Sequence, residues 1–375
     1  MGRFGKKHTI DLNPLNYSIC LAGIGGIGKT TLAKEVCEKL VGEDGYIHFN
    51  IGREAGVDAI NNIITEDIPD FEKLTEVIDD IVENKTEEYP DLKVVIMDSL
   101  DELIRITETE VVRKEHQKDS NINSILQVKG GFGKGQDYCM DIILDKIFEL
   151  KSVGVQTFLI AHTKKSDMVD AVTQNSFSQL TADISQRQFN AIKNKMDVVA
   201  VGYLDRQFKT EKTGRKNVVT KQDVTVNRVT EETRVISFRD DSYCIDSKCR
   251  FADIVSKIPF DSDEFIKALK DAIEAENTKG GISEKEAKKI QADKDKKLAE
   301  EASENSRKAK EFATEVDEEK NVELISKIKP LFLSDETSKE TKDKVKTYMK
   351  DNGVSFKAPE STQTKHFEEI LQMLS

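Results

Sequence analysis

Residues 23–30 read Gly-Ile-Gly-Gly-Ile-Gly-Lys-Thr, which meets every fixed position of the phosphate-binding pattern Gly-x-x-x-x-Gly-Lys-Ser/Thr. Residues 17–22 are apolar and strand-like, and residues 31–40 carry apolar side chains at helical spacing. In that context the backbone N–H groups of a glycine loop converge on a phosphate, and the helix N-terminus adds positive potential. The alternative, a glycine-rich turn that matches by accident, does not explain both flanks. The stretch therefore predicts a binding site for a nucleoside triphosphate, which we expect to be ATP.

Two polar residues of this loop have expected tasks in nucleotide binding. The ammonium group of Lys29 should reach the β- and γ-phosphate oxygens, and the hydroxyl group of Thr30 should bind Mg²⁺. The predicted phosphate cradle consists of Gly23, Ile24, Gly25, Gly26, Ile27, Gly28, Lys29, Thr30 and Thr31.

Composition limits the class of protein. The chain has 375 residues, of which 37% are hydrophobic and 34% are charged, so we expect one large core with a polar appendage or two domains. The net charge of −12 provides no global basic field, so any contact with nucleic acid must be local. Five cysteines without a C-x-x-C pair indicate reduced thiols, and no apolar run is long enough to span a membrane. We therefore expect a cytoplasmic protein.

The order of predicted elements indicates an α/β fold. Apolar runs alternate with helical patterns, which predicts a mostly parallel sheet covered by helices on both faces. The predicted strands lie at residues 46–50, 93–97, 156–161 and 198–204, and the predicted helices lie at 71–82 and 139–150. From residue 218 onward the pattern changes to short β-rich pieces at 224–229, 234–239 and 243–246, which predict hairpins at one edge of the sheet.

Three regions follow from these patterns. Residues 1–260 should form the nucleotide-binding core, because the β/α alternation ends there. Residues 261–321 are predicted to be a charged helical linker, since the part after 280 has too few apolar residues for a core-facing stripe. Residues 322–375 regain apolar periodicity and predict a small helical C-terminal module that serves partners or assembly.

Two carboxylates are candidates for catalysis. Asp98 ends an apolar strand after the glycine loop and should help to bind Mg²⁺. Glu54 lies just beyond the second strand, at the edge where open α/β sheets bind ligands, and could orient the attacking water. Asp101 and Glu102 are alternatives for the base, but acids at a helix start are often charge complements, and Glu54 could also be a solvated loop residue.

His162 follows the predicted strand 156–161 and could sense the γ-phosphate and pass its state to the next loop. The alternative is an ordinary hydrogen-bonded loop histidine. The remaining histidines do not pair with cysteines or acids at metal-ligand spacing, so we expect no metal other than the nucleotide's Mg²⁺.

Two long loops are expected to leave the same edge of the sheet. The loop at 119–137 combines glycines with basic and aromatic side chains, and the loop at 163–187 is polar and begins with basic residues. Positive charge and an exposed ring suit contact with single-stranded nucleic acid, whereas flexible insertions without a ligand are the alternative. The candidate contacts are Lys129, Phe132, Lys134, Lys164 and Lys165.

Basic residues in the late β-rich region could complete a neighbouring subunit's site, as cations do in ring or filament ATPases. Solvated positions on a strand are the alternative for each of them. The candidates are Arg234, Arg239, Lys248 and Arg250.

Taken together, residues 10–260 resemble the RecA-like ATPase core, and in particular a phage-encoded group of small RecA-like ATPases implicated in single-strand annealing and recombination. The resemblance rests on the glycine loop, on Glu54, on the strand ending at Asp98, on the Gly-Phe-Gly-Lys-Gly loop, on His162 and on the segment 247–251. It implies that Glu54 activates water, that His162 couples ATP to DNA-binding loops, and that Lys248 or Arg250 reaches a neighbouring subunit's nucleotide. The chain departs from recombinases in having histidine where they usually have glutamine and in its charged tail, and we expect no N-terminal polymerisation domain.

The leading interpretation is a homo-oligomeric, Mg²⁺-dependent ATPase, stimulated by single-stranded DNA, that acts in recombination or annealing. One alternative is an ATP switch with little turnover whose C-terminal region docks a partner such as a single-strand-binding protein. Another is a motor or loader ATPase that acts on duplex DNA or on protein. DNA-stimulated turnover, ATP-dependent partner capture and duplex-dependent translocation would distinguish the three.

Overall fold

The computed structural model describes residues 10–54, 56–169, 174, 176–216, 223–239, 246–281, 284–334, 337–356 and 363–374. Within these residues the strands are β1 (Ile19–Gly23), β2 (Tyr46–Ile51), β3 (Thr65–Ile68), β4 (Val94–Asp98), β5 (Gln156–Val169), β6 (Ser176–Ala182), β7 (Val198–Lys216), β8 (Asp223–Ser237), β9 (Lys248–Cys249) and β10 (Lys257–Pro259). The helices are α1 (Lys29–Val41), α2 (Phe71–Glu83), α3 (Leu100–Lys118), α4 (Lys134–Ser152), α5 (Gln186–Lys195), α6 (Ser262–Lys279), α7 (Glu284–Leu333), α8 (Lys339–Asp351) and α9 (Thr364–Leu374).

The described strands form one sheet in the order β10-β8-β7-β1-β5-β4-β2-β3, with β6 paired to β5 and β9 paired to β7. The strands from β7 to β3 in this order run parallel, whereas β8 and β10 are antiparallel to their neighbours. The predicted mostly parallel α/β sheet is therefore confirmed. We call the side where β1, β2 and β4 end the carboxyl edge of the sheet.

Both faces of the central strands are buried, which explains why their sequences are apolar without alternation. In β1, Cys20 and Ala22 face the core formed with α2, α3, α4 and α5, while Ile19 and Leu21 face the core formed with α1 and α6. Helices thus cover the sheet on both faces, as the β/α alternation predicts.

Two strands run far beyond the sequence-based boundaries. β5 continues past the predicted end at residue 161 and pairs antiparallel with β6 from Thr163–Ala182 to Val169–Ser176, so the expected loop at 163–187 is largely a hairpin. β7 likewise continues into a long hairpin with β8, which is a single strand where two short pieces at 224–229 and 234–239 are expected. Strand pairing provides hydrogen-bond partners for the backbone groups even where neither face of the strand is apolar. These polar extensions therefore show no hydrophobic pattern in the sequence. The third piece, 243–246, lies almost entirely outside the described residues.

Helix α6 packs into the nucleotide-binding core, although the sequence analysis places it in the linker 261–321. Its side chains Phe265, Leu269 and Ile273 are buried in the same cluster as Leu32 and Val36 of α1. The apolar residues at 265, 269 and 273 share one helical face. This spacing indicates a helix that packs on the core, and the predicted core boundary at residue 260 does not take it into account.

Helix α7 is 50 residues long and contacts the core mainly through hydrogen bonds. The Ser306 hydroxyl donates to the Glu83 carbonyl at 2.9 Å, the Asn305 amide donates to the Ser152 carbonyl at 2.8 Å, and Gln291 Oε1 accepts from the Leu12 N–H at 2.9 Å. The partly buried methyl group of Ala309 adds an apolar contact. Few apolar contacts therefore join most of α7 to the core.

The end of α7 forms a separate apolar cluster with α8 and α9, as expected for a small helical module. Its buried side chains are Leu324, Ile325, Ile328, Val345, Val354, Phe367, Ile370 and Leu374. Among the residues that the structure describes, no helix is both long and apolar enough to cross a lipid bilayer.

We predict that a chain ending at Gly280 keeps the folded core. The lost hydrogen bonds contribute only about 0.5–1.5 kcal/mol each, and 1 kcal/mol lowers the Tm by about 2–4 °C for a core of this size. At about 1 kcal/mol for each of the three hydrogen bonds, a thermal melt should show a decrease of about 10 °C or less. As a control, Phe265→Ala in the same background should cost about 3–5 kcal/mol because it opens a cavity under α1. Aggregation of the truncated protein would contradict the expectation.

Candidate functional site

The glycine loop between β1 and α1 forms an open cradle at the carboxyl edge. Gly26 and Gly28 have φ values of 75° and 106°, which side chains other than glycine rarely adopt, and a Cβ atom at Gly25 or Gly26 would meet nothing within 4 Å. Gly28 is the N-cap of α1 and has no side chain, so no capping hydrogen bond reaches the first N–H groups of the helix from this position. The first N–H groups of α1 therefore face an open concavity suited to an anion.

Lys29 is buried within this cradle. Its Nζ atom donates to the carbonyl oxygens of Gly23 at 3.1 Å and Ile24 at 3.2 Å, and its side chain is 6% exposed. Burial lowers the pKa of Lys29, against the opposing charges of Asp98 and Glu54. Because burial disfavours the charged ammonium, phosphate oxygens would be better partners for it than these two carbonyls.

Thr30 and Asp98 meet as the sequence predicts. The Thr30 hydroxyl donates to Asp98 Oδ2 at 2.5 Å, and Asp98 ends β4 in a buried position. A hydroxyl and a carboxylate are hard oxygen donors of the kind that Mg²⁺ prefers, so this pair fits a magnesium ion.

Glu54 and His162 also come together at the carboxyl edge. The Ser99 hydroxyl donates to Glu54 Oε1 at 2.8 Å, and His162 Nδ1 lies 3.7 Å from the same oxygen. The same imidazole nitrogen lies 3.1 Å from both carboxylate oxygens of Asp101, at the start of α3. Ligand atoms of Glu54, Asp101 and His162 all lie within 4.8 Å of one another.

Asp101 and His162 favour an ion pair. The hydrogen bond with Asp101 raises the pKa of His162, against burial and the charge of Lys29. Burial raises the pKa of Asp101, but the hydrogen bond and charge of His162 outweigh it, so the pKa is lowered overall. Asp101 therefore orients His162, which argues against Asp101 as the catalytic base.

Glu102 has a different structural role. Its Oε2 atom accepts from the Arg53 N–H at 3.0 Å and from Arg105 Nη2 at 2.6 Å. The hydrogen bond from Arg105 lowers the pKa of Glu102. Glu102 thus anchors the loop that carries Glu54, and Glu54 stays the preferred base.

The glycine loop before α4 presents the predicted aromatic and basic side chains. Phe132 is 94% exposed, Lys134 is exposed at the start of α4, and Lys129 Nζ lies 4.5 Å from the centre of the Tyr138 ring. Arg187 pins this loop to the start of α5, because it forms an ion pair with Asp137 at 2.6 Å and donates to the Phe132 carbonyl at 3.2 Å.

Lys164 and Lys165 lie on the β5–β6 hairpin, directly after His162. Lys164 pairs with Asp183 at 3.2 Å, and both lysines are exposed. Since β5 passes the carboxyl edge at His162, the hairpin projects from the edge that carries the phosphate cradle. The structure thus places these lysines as expected, and their contact with DNA stays a prediction.

Lys248 and Arg250 do not lie near the phosphate cradle. β9 pairs with Val198 and Val199, the first residues of β7, at the opposite edge of the sheet. Lys248 Nζ donates to the carbonyl oxygens of Lys193 and Met196 at 2.7 and 3.0 Å, and Arg250 pairs with Asp197 at 3.2 Å. Both cations contact the C-terminal end of α5 in their own subunit, and their role at a neighbouring subunit's nucleotide stays a prediction.

Three further residues lie at the site: His48 and Phe260, to which the sequence gives no role, and Arg234, which is expected only as a candidate cation for a neighbouring subunit. Arg234 Nη1 donates to the Ile27 carbonyl at 3.4 Å, and the Phe260 ring would lie 3.6 Å from a Cβ atom at Gly28. His48 Nε2 lies 3.3 Å from Asp98 Oδ2 inside the sheet. Arg234 is only one of four basic candidates in the sequence, and the strand order that brings these side chains to the cradle is not visible in it.

We predict that Asp101→Asn lowers the pKa of His162 towards its usual value near 6.5, measured by NMR titration of the imidazole. The pair requires an ionised Asp101 and a protonated His162, so its stabilisation should be greatest between about pH 4 and 6.5. Because the pKa of His162 is raised in the folded protein, the stabilisation by the pair is lost as the pH rises through that pKa. A difference in unfolding free energy between parent and variant that grows above pH 8 would contradict the pairing.

Comparison with known proteins places the site within a family. The AAA domain profile matches residues 15–241, which include the glycine loop and every catalytic candidate. No curated protein matches the sequence. A similar solved structure is the KaiC-like protein PH0186 from the hyperthermophilic archaeon Pyrococcus horikoshii OT3, with 14% identity, a TM-score of 0.32, and coverage of 65% of this chain and 85% of that one.

The match and the cradle indicate a nucleotide-hydrolysing domain, of a type that usually binds its nucleotide with Mg²⁺. Because the profile spans more than half of the 375 residues, the chain belongs to the AAA domain family.

Proposed function

We propose that the chain is a Mg²⁺-dependent ATPase that binds single-stranded DNA and acts in phage-type recombination or single-strand annealing. The observation that carries the proposal is the meeting of Lys29, Thr30, Asp98, Glu54 and His162 at one edge of the sheet. Exposed lysines on two segments project from that same edge.

Each group at the cradle has a task in hydrolysis. Lys29 would exchange its carbonyl partners for phosphate oxygens, and the loop N–H groups would hold the β-phosphate. Thr30 and Asp98 would hold Mg²⁺, which neutralises charge on the phosphates when bound. Glu54 would accept a proton from the attacking water, and the Ser99 hydroxyl orients the carboxylate for this by donating to Oε1.

His162 would report the state of the γ-phosphate. It lies beside Glu54 and leads directly into the strand that carries Lys164 and Lys165. A change in its hydrogen bonding on hydrolysis would move the hairpin, because His162 and the lysines share one strand.

A second route of contacts joins the phosphate end to the loop with Phe132. Helix α3 begins near His162 and contacts α5 through a hydrogen bond of 2.7 Å from Gln188 to Glu108. The preceding residue, Arg187, forms the ion pair with Asp137 that pins the loop. We therefore propose that both segments respond to the nucleotide.

Local charge supports single-stranded DNA as the partner. The whole chain has a net charge of −12, so a cluster of exposed lysines around an exposed phenylalanine needs a specific reason. Phosphate oxygens would pair with the lysines, and bases would stack on the Phe132 ring.

Homo-oligomerisation stays part of the proposal through the resemblance to RecA-like ATPases, with Lys248 or Arg250 as the cation that would reach a neighbouring subunit's nucleotide. The alternatives are an ATP switch and a motor or loader. The separate apolar cluster of α7, α8 and α9 favours a partner-binding role for the C-terminal module, such as docking a single-strand-binding protein. Partner capture that depends on ATP but not on DNA would favour the switch.

We predict that Lys29→Ala abolishes hydrolysis and weakens nucleotide binding, whereas Glu54→Gln keeps binding but loses at least about a hundredfold in turnover. Steady-state ATPase assays and nucleotide titrations separate the two effects. If Glu54→Gln turns over within a few-fold of the parent while Glu102→Gln is inactive, Glu102 is the base.

We also predict that charge reversal at Lys129, Lys134, Lys164 and Lys165 weakens binding of a single-stranded oligonucleotide and reduces its salt dependence. Phe132→Ala should lower affinity by about tenfold through lost stacking. The matched control reverses four exposed lysines on α6 and α7, namely Lys267, Lys270, Lys289 and Lys296. Equal affinities for the two quadruple variants would contradict the interface, and tighter binding of duplex DNA would favour the motor.

A further inference from the structure

His48 is an imidazole enclosed in the sheet behind the magnesium ligand Asp98. It lies on β2 between β4 and β3, and its side chain is fully buried. Both ring nitrogens have a polar partner: Nδ1 lies 3.1 Å from Thr65 Oγ1, and Nε2 lies 3.3 Å from Asp98 Oδ2. The imidazole therefore bridges a hydroxyl group on β3 and the carboxylate at the end of β4.

The partners fix which nitrogen donates. An ionised carboxylate can only accept, so Nε2 must carry the hydrogen that faces Asp98. The Thr65 hydroxyl can either donate or accept, so it suits Nδ1 in either state of the ring. The direction of the His48–Asp98 hydrogen bond thus follows from chemistry and does not depend on the charge of the imidazole.

His48 and Thr30 use the same carboxylate oxygen. Thr30 donates to Asp98 Oδ2 from the side of the cradle, whereas His48 reaches it from inside the sheet. If Thr30 turns its hydroxyl oxygen towards a metal ion, His48 still holds the carboxylate. A donor placed behind a metal-binding carboxylate restricts its rotation without occupying a metal position.

We infer that His48 is a positioning residue that orients Asp98 for Mg²⁺ and so sets the Mg²⁺ requirement of nucleotide binding. The inference rests on the proposed function, because it concerns the same magnesium site. A purely packing role would not require a donor aimed at the carboxylate, and an apolar side chain would fill a buried strand position equally well.

The test compares three variants at this position. His48→Gln places an amide N–H near the position of Nε2 and should largely restore the contact with Asp98. His48→Asn places its amide near Nδ1, so it contacts Thr65 but not Asp98. His48→Leu removes both hydrogen bonds, and thermal melts establish which variants fold.

Binding of a fluorescent ATP analogue is measured during a Mg²⁺ titration and again in EDTA. His48→Leu and His48→Asn should need about 10–100 times more Mg²⁺ for half-maximal binding, the usual effect of losing a group that supports a metal ligand. His48→Gln should stay within a few-fold of the parent, and binding in EDTA should be the same for all four proteins. Nucleotide-dependent loss of the free Mn²⁺ EPR signal provides a second readout that does not involve turnover.

The outcomes separate this inference from the proposed function. If the parent protein does not bind the Mg²⁺–nucleotide complex, the proposed function fails and the inference fails with it. If the parent binds and folded His48→Leu has the parent's Mg²⁺ requirement, only the inference fails. If His48→Leu does not fold, the Gln and Asn variants decide, and equal requirements for these two would overturn the positioning role.

Discussion

The parallel register of β1 with its neighbours is the constraint on which the site depends. Gly23 pairs with His162 of β5 on one side and with Gly202 of β7 on the other, and a Cβ atom at Gly23 would lie only 2.9 Å from the Gly202 carbonyl. This close packing places the phosphate cradle directly beside the tip of β5. Because β4 pairs with β5 and β2 with β4, the carboxylates that follow those strands reach the same place. Parallel strand pairing thus brings residues that are far apart in the chain together at one site.

Charge at this edge is arranged in two adjacent groups. Lys29, Thr30 and Asp98 form the part that would hold phosphate and magnesium, while Glu54, Asp101 and His162 form the part that would face the γ-phosphate and water. The second group is continuous with the projecting β5–β6 hairpin, since His162 belongs to the same strand as the hairpin lysines. We therefore propose that ATP hydrolysis at the cradle moves the projecting segments.

The sequence predicts the parts of the molecule whose signal is local. The glycine loop, the buried strand ending at Asp98 and the histidine after the apolar run 156–161 are each recognisable from neighbouring residues, and all of them lie at the predicted edge. Features that depend on strand order are not recognisable: His48 reads as one more residue of an apolar strand, and Arg234 as one of several late cations. The place of Lys248 at the end of α5 is not recognisable for the same reason, because it depends on the pairing of β9 with β7. Polar hairpins are not predicted from the sequence, because backbone pairing stabilises them without a stripe of apolar side chains.

We propose that ATP turnover at this edge of the sheet is coupled to the binding of single-stranded DNA. The most direct measurement is the steady-state ATPase rate of the full chain without polymer and with single-stranded DNA, duplex DNA or RNA, each at two salt concentrations. We expect the greatest stimulation by single-stranded DNA, and we expect this stimulation to weaken at the higher salt concentration because phosphate contacts are screened. A rate that is unchanged by single-stranded DNA at both salt concentrations would contradict it.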